Sequence, residues 1–253
     1  MKRMIASTLD AYRRYRRARS RSKAYKVVRY CVIGLFVAYL LTICFPQYLF
    51  AHQVTYGNFK VYSRGPFDQG IYKVLDDAEA RLSKSTIYDR DVSRRVFLAP
   101  GHGMYAFLSN KAFRSFANSV PMVDNILINK SDVAHDLVFL DRPEHNRRSL
   151  SGVIAHEVTH LFIRKKVGVL RASLMATWKN EGYCEYIAGD TTITFQEGVA
   201  LWRASPDNDS KYRFFKYQMM VKYLFETEKL SIEDVFNRDF DLKDLEAKTF
   251  RAL

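Results

Sequence analysis

The chain has 253 residues, of which 48% are hydrophobic and 26% charged, and its formal net charge is +13. This composition suits one ordinary domain with an appendage, and it excludes a disordered, collagen-like or repeat protein. The net charge would fit a nucleic-acid-binding protein, but its distribution argues against one. Residues 1–29 contain eleven Lys or Arg and one acid, Asp10, so this tail carries +10 and leaves +3 for residues 30–253.

A run of 22 residues without a charged side chain, residues 30–51, follows the basic tail. As a helix it would be about 33 Å long, enough to cross a hydrocarbon core of about 30 Å. The positive-inside rule then predicts a cytoplasmic tail at 1–29 and an extracytoplasmic domain at 52–253, anchored in the lipid bilayer by one span. A cleaved signal peptide is the alternative, although its basic region would be unusually long and Leu49 stands where a small residue is required.

The cysteines are few and give the exported domain no internal disulfide. Cys31 and Cys44 lie in the apolar run, and Cys184 is alone in residues 52–253. We therefore expect the fold of this domain to depend on its hydrophobic core.

Strands dominate the first half of the domain and helices the second. Residues 52–66 are predicted to be extended, and residues 67–84 to form an amphipathic helix with one apolar face made of Ile71, Val74, Leu75, Ala78 and Leu82. Alternation and turn residues predict strands at 94–100, 124–130 and 136–140. Helices are predicted at 149–168, 174–189, 191–203 and 210–230, the first of them capped by Ser149 or Ser151. This order indicates an α+β fold with a cleft between the two halves.

The helix predicted at 149–168 carries His156, Glu157 and His160 inside an apolar run. The two histidines are spaced i, i+4, so their side chains lie on one face, one turn apart. Two imidazoles placed in this way bind one Zn²⁺, with each nitrogen about 2.0–2.1 Å from the metal. Glu157 lies beside them, where a carboxylate serves as the base for a zinc-activated water. The alternative is a core helix whose histidines are satisfied by hydrogen bonds.

A third protein ligand is expected, because catalytic zinc usually has three and keeps a position for water. Glu181 follows His160 after twenty residues, enough for one helix to turn back and a second to face it. Glu185 comes one turn later on the same face. That position suits a carboxylate that orients a ligand histidine through its other ring nitrogen.

The combination of HEVTH, twenty residues and WKNEGYCEY resembles the gluzincin metallopeptidases, the family of thermolysin and the alanyl aminopeptidases. The resemblance covers mainly residues 150–190. It implies a zincin-like metallopeptidase domain and a Zn²⁺ cofactor. Within that domain it implies that His156, His160 and Glu181 are the zinc ligands, that Glu157 is the general base and that Glu185 is the outer carboxylate.

Two features depart from the family. No segment matches the GAMEN sequence with which the aminopeptidases read a free N-terminus, so we predict an endopeptidase. No tyrosine lies at the aminopeptidase distance from Glu181, so Tyr217 is the candidate for stabilising the oxyanion; core packing is the alternative for this residue. Cys184 is predicted to be a small buried residue and not a thiolate ligand. Nothing in the sequence indicates an oligomeric state.

We therefore predict a membrane-anchored zinc peptidase acting on peptide or protein substrates, with Glu157 transferring the proton of the attacking water to the leaving amine. The strand predicted at 124–130 is expected to pair with an extended substrate at the rim of the cleft. The main rival is an inactive zinc-binding domain that recruits a partner. A third interpretation, lipid or nucleic-acid binding by the tail, requires that affinity to disappear when residues 1–29 are removed.

Overall fold

The computed structural model describes residues 10, 12, 15, 23–109, 114–140, 146–206, 210 and 212–253. The chain divides into two units, Met1–Pro46 and Gln47–Leu253. Most of the predicted basic tail and part of the polar loop before the histidine helix lie outside the described residues. The second unit combines helices with a mixed sheet, which confirms the predicted α+β class.

The first unit contains one long helix, α1 (Lys23–Cys44), with no buried residue. It is long and apolar enough to span a membrane, as judged by length and composition. The helix begins before the predicted span at 30–51 and ends at Cys44. The helix ends there because Pro46 lacks a backbone N–H and disfavours helical geometry in the residue before it. A 3₁₀ turn, Pro46–Leu49, follows.

The main sheet is built from β1 (His52–Tyr56), β2 (Phe59–Ser63), β3 (Arg94–Leu98), β4 (Ala117–Val120) and β5 (Asn125–Ile128). Within the described residues their order is β1-β2-β3-β5-β4. β1 and β2 form an antiparallel hairpin, β3 runs parallel to both β2 and β5, and β4 pairs antiparallel with β5. The apolar residues of β3 and β5 are buried, as expected for strands in the middle of a sheet.

The position of β5 corrects one prediction. β5 is hydrogen-bonded to β3 on one side and to β4 on the other, so its backbone groups are already used. The prediction that the strand at 124–130 pairs with substrate is therefore wrong. β4 is the edge strand at this end of the sheet. The sequence of a short apolar strand such as β5 does not indicate whether the strand is central or at the edge.

A small antiparallel sheet leads into the histidine helix. Its strands are β6 (Ser131–Asp132), β7 (Leu137–Phe139) and β8 (Arg147–Ser149). In the described part of the second unit it is preceded by the helices α2 (Gly70–Leu82), whose buried face is the predicted one, and α3 (His102–Ser109), which the residue pattern did not predict. The helix α4 (Leu150–Val167) begins directly after β8 and is buried over most of its length.

The remaining helices are α5 (Val169–Leu174), α6 (Thr177–Ala188), α7 (Phe195–Ala204), α8 (Arg213–Glu226), α9 (Ile232–Asn237) and α10 (Leu242–Arg251). α6 packs between α4 and α8. Its contact with α8 is close because Gly182 has no side chain: a Cβ there would lie 2.6 Å from the carbonyl oxygen of Tyr217. This packing places the middle of α6 opposite the histidines of α4.

Candidate metal centre

Local sequence fixes where α4 begins and ends. The side chain of Ser149 caps the helix by accepting a hydrogen bond from Gly152 N at 3.0 Å, and the helix ends at Gly168, whose φ is +85°. His156 and His160 then lie one turn apart with their ring centroids 4.9 Å from each other. Both imidazoles are largely shielded from solvent, with 9% and 14% of their side chains exposed.

The carboxylate of Glu181 lies between the two imidazoles. Its Oε2 is 3.3 Å from Nε2 of His156, and its Oε1 is 3.7 Å from Nε2 of His160. The α6 helix thus brings the predicted third ligand to the same side of the two rings. Two imidazole nitrogens and one carboxylate oxygen are a donor set that zinc accepts in catalytic sites.

The opposite edge of the His156 ring faces Glu185. Nδ1 of His156 is buried, makes no hydrogen bond among the described residues and lies 3.4 Å from Oε1 of Glu185. Arg148 holds that carboxylate through two parallel hydrogen bonds, from Nη1 to Oε1 at 2.9 Å and from Nη2 to Oε2 at 2.8 Å. Only 2% of the Glu185 side chain is exposed, so the pair is an internal one.

Arg148 also connects this carboxylate to the beginning of α4. Its Nη2 donates to the backbone oxygen of Asp190 at 2.8 Å, and Ser149 Oγ donates to Oδ2 of Asp190 at 2.6 Å. The Asp190 carboxylate packs against Gly152, where an added Cβ would overlap it. The N-terminus of α4 and the end of α6 are therefore joined through side chains that surround the centre.

Asn180 fixes the orientation of the second histidine. Its Nδ2 donates to the carbonyl oxygen of Ala172 at 3.1 Å, which turns its Oδ1 toward Nδ1 of His160 at 2.9 Å. Since Oδ1 is an acceptor, the proton of a neutral His160 ring lies on Nδ1. The lone pair of Nε2 then faces Glu181, as metal binding requires.

Cys184 offers an alternative ligand, because its Sγ and one nitrogen from each histidine lie within 4.8 Å of one another. Its Sγ, however, lies 3.3 Å from Nδ1 of His160, the nitrogen that faces Asn180. Both Nε2 atoms point instead toward Glu181. Burial, together with the nearby carboxylates, raises the pKa of the thiol well above its usual range. Glu181 is therefore the better third donor, and Cys184 fits the buried role predicted for it.

The carboxylate of Glu157 differs from its neighbours in having no hydrogen bond or ion pair to the described part of the chain. The residue is only 7% exposed, yet it lines the cavity into which the histidines open. A buried carboxylate usually has a partner. Its open contact with the cavity leaves it available to a water or a substrate amine.

That cavity has a volume of about 690 Å³. Its lining includes five of the six predicted site residues: His156, Glu157, His160, Glu181 and Glu185. Residues 115–119, comprising most of β4 and the two residues before it, form another part of the wall. A cavity of this size fits a stretch of peptide, and β4 beside it is an edge strand among the described strands.

Tyr217 does not line this cavity, whereas Phe214 of the same helix does. Tyr217 is half-buried, packs at the edge of the main core and lies 6.4 Å from Phe214 between ring centroids. Its role at the oxyanion stays a sequence prediction. Among the other histidines, His135 lies on the surface with Asp132, and His102 meets Asn129 at 2.7 Å.

The charges of the centre shift its protonation. Burial opposes the charged form of His156, but Glu185 and Glu181 outweigh it and raise the pKa of this imidazole to about 10. Burial likewise opposes ionisation of Glu181, but His160 and His156 outweigh it and lower its pKa to about 2. Without a metal the cluster thus holds a proton between carboxylates. A metal ion held by these donors would have to displace that proton.

A second cavity of about 1340 Å³ adjoins the first. The two share Asn146, Thr191 and Thr192, which mark the boundary between them. None of the six predicted site residues lines the second cavity. Its apolar lining consists chiefly of Phe139, Tyr186, Ile193, Phe195, Phe215 and Met219.

Sequence reasoning missed three residues of the centre. Arg148 stood at the end of a polar loop, Asn180 was part of the NEG triplet without a role, and Asp190 followed the end of the helix. Arg148 contacts residues that lie 37 and 42 positions away in the sequence. Asn180 contacts His160, which lies 20 positions away. A local pattern carries no signal for such pairs.

No protein-family model and no curated protein matches the chain.

Proposed function

We propose that the chain is a zinc-dependent peptidase with a zincin-like domain. The observation that carries the proposal is the convergence of both Nε2 atoms on Glu181, while Glu185 and Asn180 occupy the Nδ1 sides of the rings. His156, His160 and Glu181 would hold the metal. Zinc, when bound, supplies a Lewis acid that activates water and polarises a peptide carbonyl.

The chain's own side chains perform the proton transfer. Glu157 has no partner among the described residues and faces the cavity, so its carboxylate can take a proton from the attacking water. The same carboxyl then donates that proton to the leaving amine. Arg148 and Glu185 keep His156 in position, and Asn180 does so for His160.

The substrate in this proposal is an extended stretch of peptide or protein lying along β4. Within the described residues β4 pairs with a strand on one side only, and it lines the metal cavity through Ala117, Asn118 and Ser119. Backbone pairing of that kind accepts a wide range of sequences, since the hydrogen bonds are made by main-chain groups.

The proposed location is the membrane. α1 would be a single span, with residues 1–29 cytoplasmic and residues 52–253 extracytoplasmic, because the basic residues precede the span. Protease added to intact cells should digest residues 52–253 and leave the tail untouched. Protection of the domain with digestion of the tail would reverse the orientation.

The experiment that tests the peptidase proposal is the Glu157→Gln variant, which keeps the size of the side chain and removes its basicity. Wild type and variant should each bind about one zinc, and the variant should lose turnover of a broad peptide library by about 10²–10⁴-fold. His156→Ala, His160→Ala and Glu181→Ala should each lose the metal, whereas Cys184→Ala should keep it.

Two outcomes would contradict the proposal. Turnover that is unchanged in Glu157→Gln assigns the chemistry to another residue. Zinc binding by a wild type that cleaves no peptide favours the rival, a zinc-binding domain that recruits a partner through the same cavity.

A further inference from the structure

We infer that the second cavity is a distal binding site for an apolar stretch of the same polypeptide whose scissile bond lies in the metal cavity. The inference rests on the proposed peptidase function and names its substrate class: extended polypeptides with apolar residues several positions from the cleaved bond. Short peptides would reach only the metal cavity.

The first argument is continuity. Thr191 and Thr192 line both cavities, and Thr192 is exposed, so the boundary between them is open to solvent. Asp190, at the start of this boundary, is fixed by Arg148 and Ser149. The boundary between the cavities is therefore joined to Arg148 and Ser149, the same side chains that flank the metal centre.

The second argument is size. About 1340 Å³ exceeds the roughly 300–1,000 Å³ of sites for small molecules. A volume above that range suits a segment of chain more than a single side chain. The second cavity is also open along its boundary with the first. One extended polypeptide can therefore lie across both cavities while its two ends stay in solvent.

The third argument is chemistry. Phe195 is 47% exposed, and its ring meets buried Phe215 at 6.0 Å between centroids. Together with Ile193, Phe215 and Met219 of the lining, this ring gives the cavity an apolar binding surface. The charged lining residues are of both signs, with Lys84 and Lys222 opposite in charge to Glu197 and Glu226, so the lining does not select for one sign of ligand charge.

The experiment compares a short peptide cleaved by the full-length zinc protein with the same peptide extended by four apolar residues on either side. The extended peptide should have a kcat/KM about tenfold higher. Phe195→Ala and Ile193→Ser should each remove that advantage by raising KM and leave turnover of the short peptide unchanged. Phe107→Ala is the matched control, because its ring is 49% exposed and lines neither cavity.

Each result decides the question. Loss of the length advantage in Phe195→Ala and Ile193→Ser, but not in Phe107→Ala, supports the distal site. Wild type that cleaves both peptides equally well, or variants that lower both rates together, overturn it. If wild type cleaves no peptide, the peptidase proposal fails separately. The readout is then the affinity of a fluorescein-labelled extended peptide for zinc-free protein: weaker binding by Phe195→Ala supports the site, and equal binding overturns it.

Discussion

The guanidinium of Arg148 forms two parallel hydrogen bonds with the carboxylate of Glu185, and that carboxylate faces the imidazole of His156 at 3.4 Å. Arg148 makes no hydrogen bond to the histidines or to Glu181 in these contacts, so its direct contact with the centre is through Glu185, while its positive charge also acts on Glu181 at longer range. The planar fork of an arginine fits a carboxylate at two points, which a lysine cannot reproduce.

We therefore predict that Arg148→Met weakens zinc binding by about 10–100-fold, as loss of an outer partner does. Arg148→Lys should recover part of this loss, since it restores the charge without the paired geometry. Competition with a chelator measures the affinities. Arg148→Met leaves Glu185 buried and unpaired, so Arg148→Met/Glu185→Met serves as the folded control. The third protein in this comparison is Glu185→Met alone. If the loss in the double variant equals the sum of the losses in Arg148→Met and Glu185→Met, Arg148 does not act through Glu185.

The free energy of unfolding of the metal-free domain should fall both at high pH and at low pH. The raised pKa of His156 stabilises the fold below its ordinary value of 6.5, and this contribution is lost as the pH rises toward about 10. The lowered pKa of Glu181 stabilises the fold above 4.5 and is lost as the pH falls toward about 2. The free energy of unfolding in urea should therefore include both contributions between about pH 4.5 and 6.5.

Zinc should abolish the alkaline decline, because the metal replaces the proton on His156 as the positive charge of the centre. His156→Gln should abolish it as well, without metal. An alkaline decline of the same size in His156→Gln would show that another group causes it.

The edge of β4 should bind substrate through Ser119. Asn129 N donates to Phe116 O at 2.8 Å, so alternation along the antiparallel pair points the backbone groups of Ser119 away from β5. Ser119→Pro removes one outward N–H and keeps the hydrogen bonds between the strands. We expect kcat/KM for a peptide to fall about tenfold, the loss of one backbone hydrogen bond.

The matched control for this variant is Ser119→Ala. It removes the hydroxyl that accepts from Arg164 at 3.3 Å but retains the N–H. It should therefore keep its activity. Equal losses in both variants would attribute the effect to the hydroxyl and remove the case for pairing along β4.

Gly182→Ala should destabilise the domain by about 1–3 kcal/mol, because the added methyl group overlaps the carbonyl oxygen of Tyr217 and the side chain of Val221. Urea denaturation measures the change. Gly103→Ala, in a helix with open space around the glycine, should instead leave stability unchanged or raise it by up to about 1 kcal/mol. A neutral Gly182→Ala would mean that α6 and α8 separate without cost.

The residue pattern by itself predicted the elements whose causes are local. The five buried residues of α2 follow from helical spacing, and Ser149 and Gly168 bound α4 through a cap and a left-handed glycine. The i, i+4 spacing of His156 and His160 puts both rings on one face of any helix that contains them. These features need only neighbours within one or two turns.

Tertiary structure decided what depends on contacts between distant segments. It placed β5 inside the sheet and left β4 at its edge, because strand order is set by pairing across the fold and not by the sequence of one strand. It brought Arg148 to Glu185 and Asn180 to His160, and it kept Tyr217 out of the lining of the metal cavity. Spacing along the chain indicated His156, His160 and Glu181 as the candidate donors of the centre. The orientation of each donor was determined by packing of α6 between α4 and α8, where a single glycine permits the close approach.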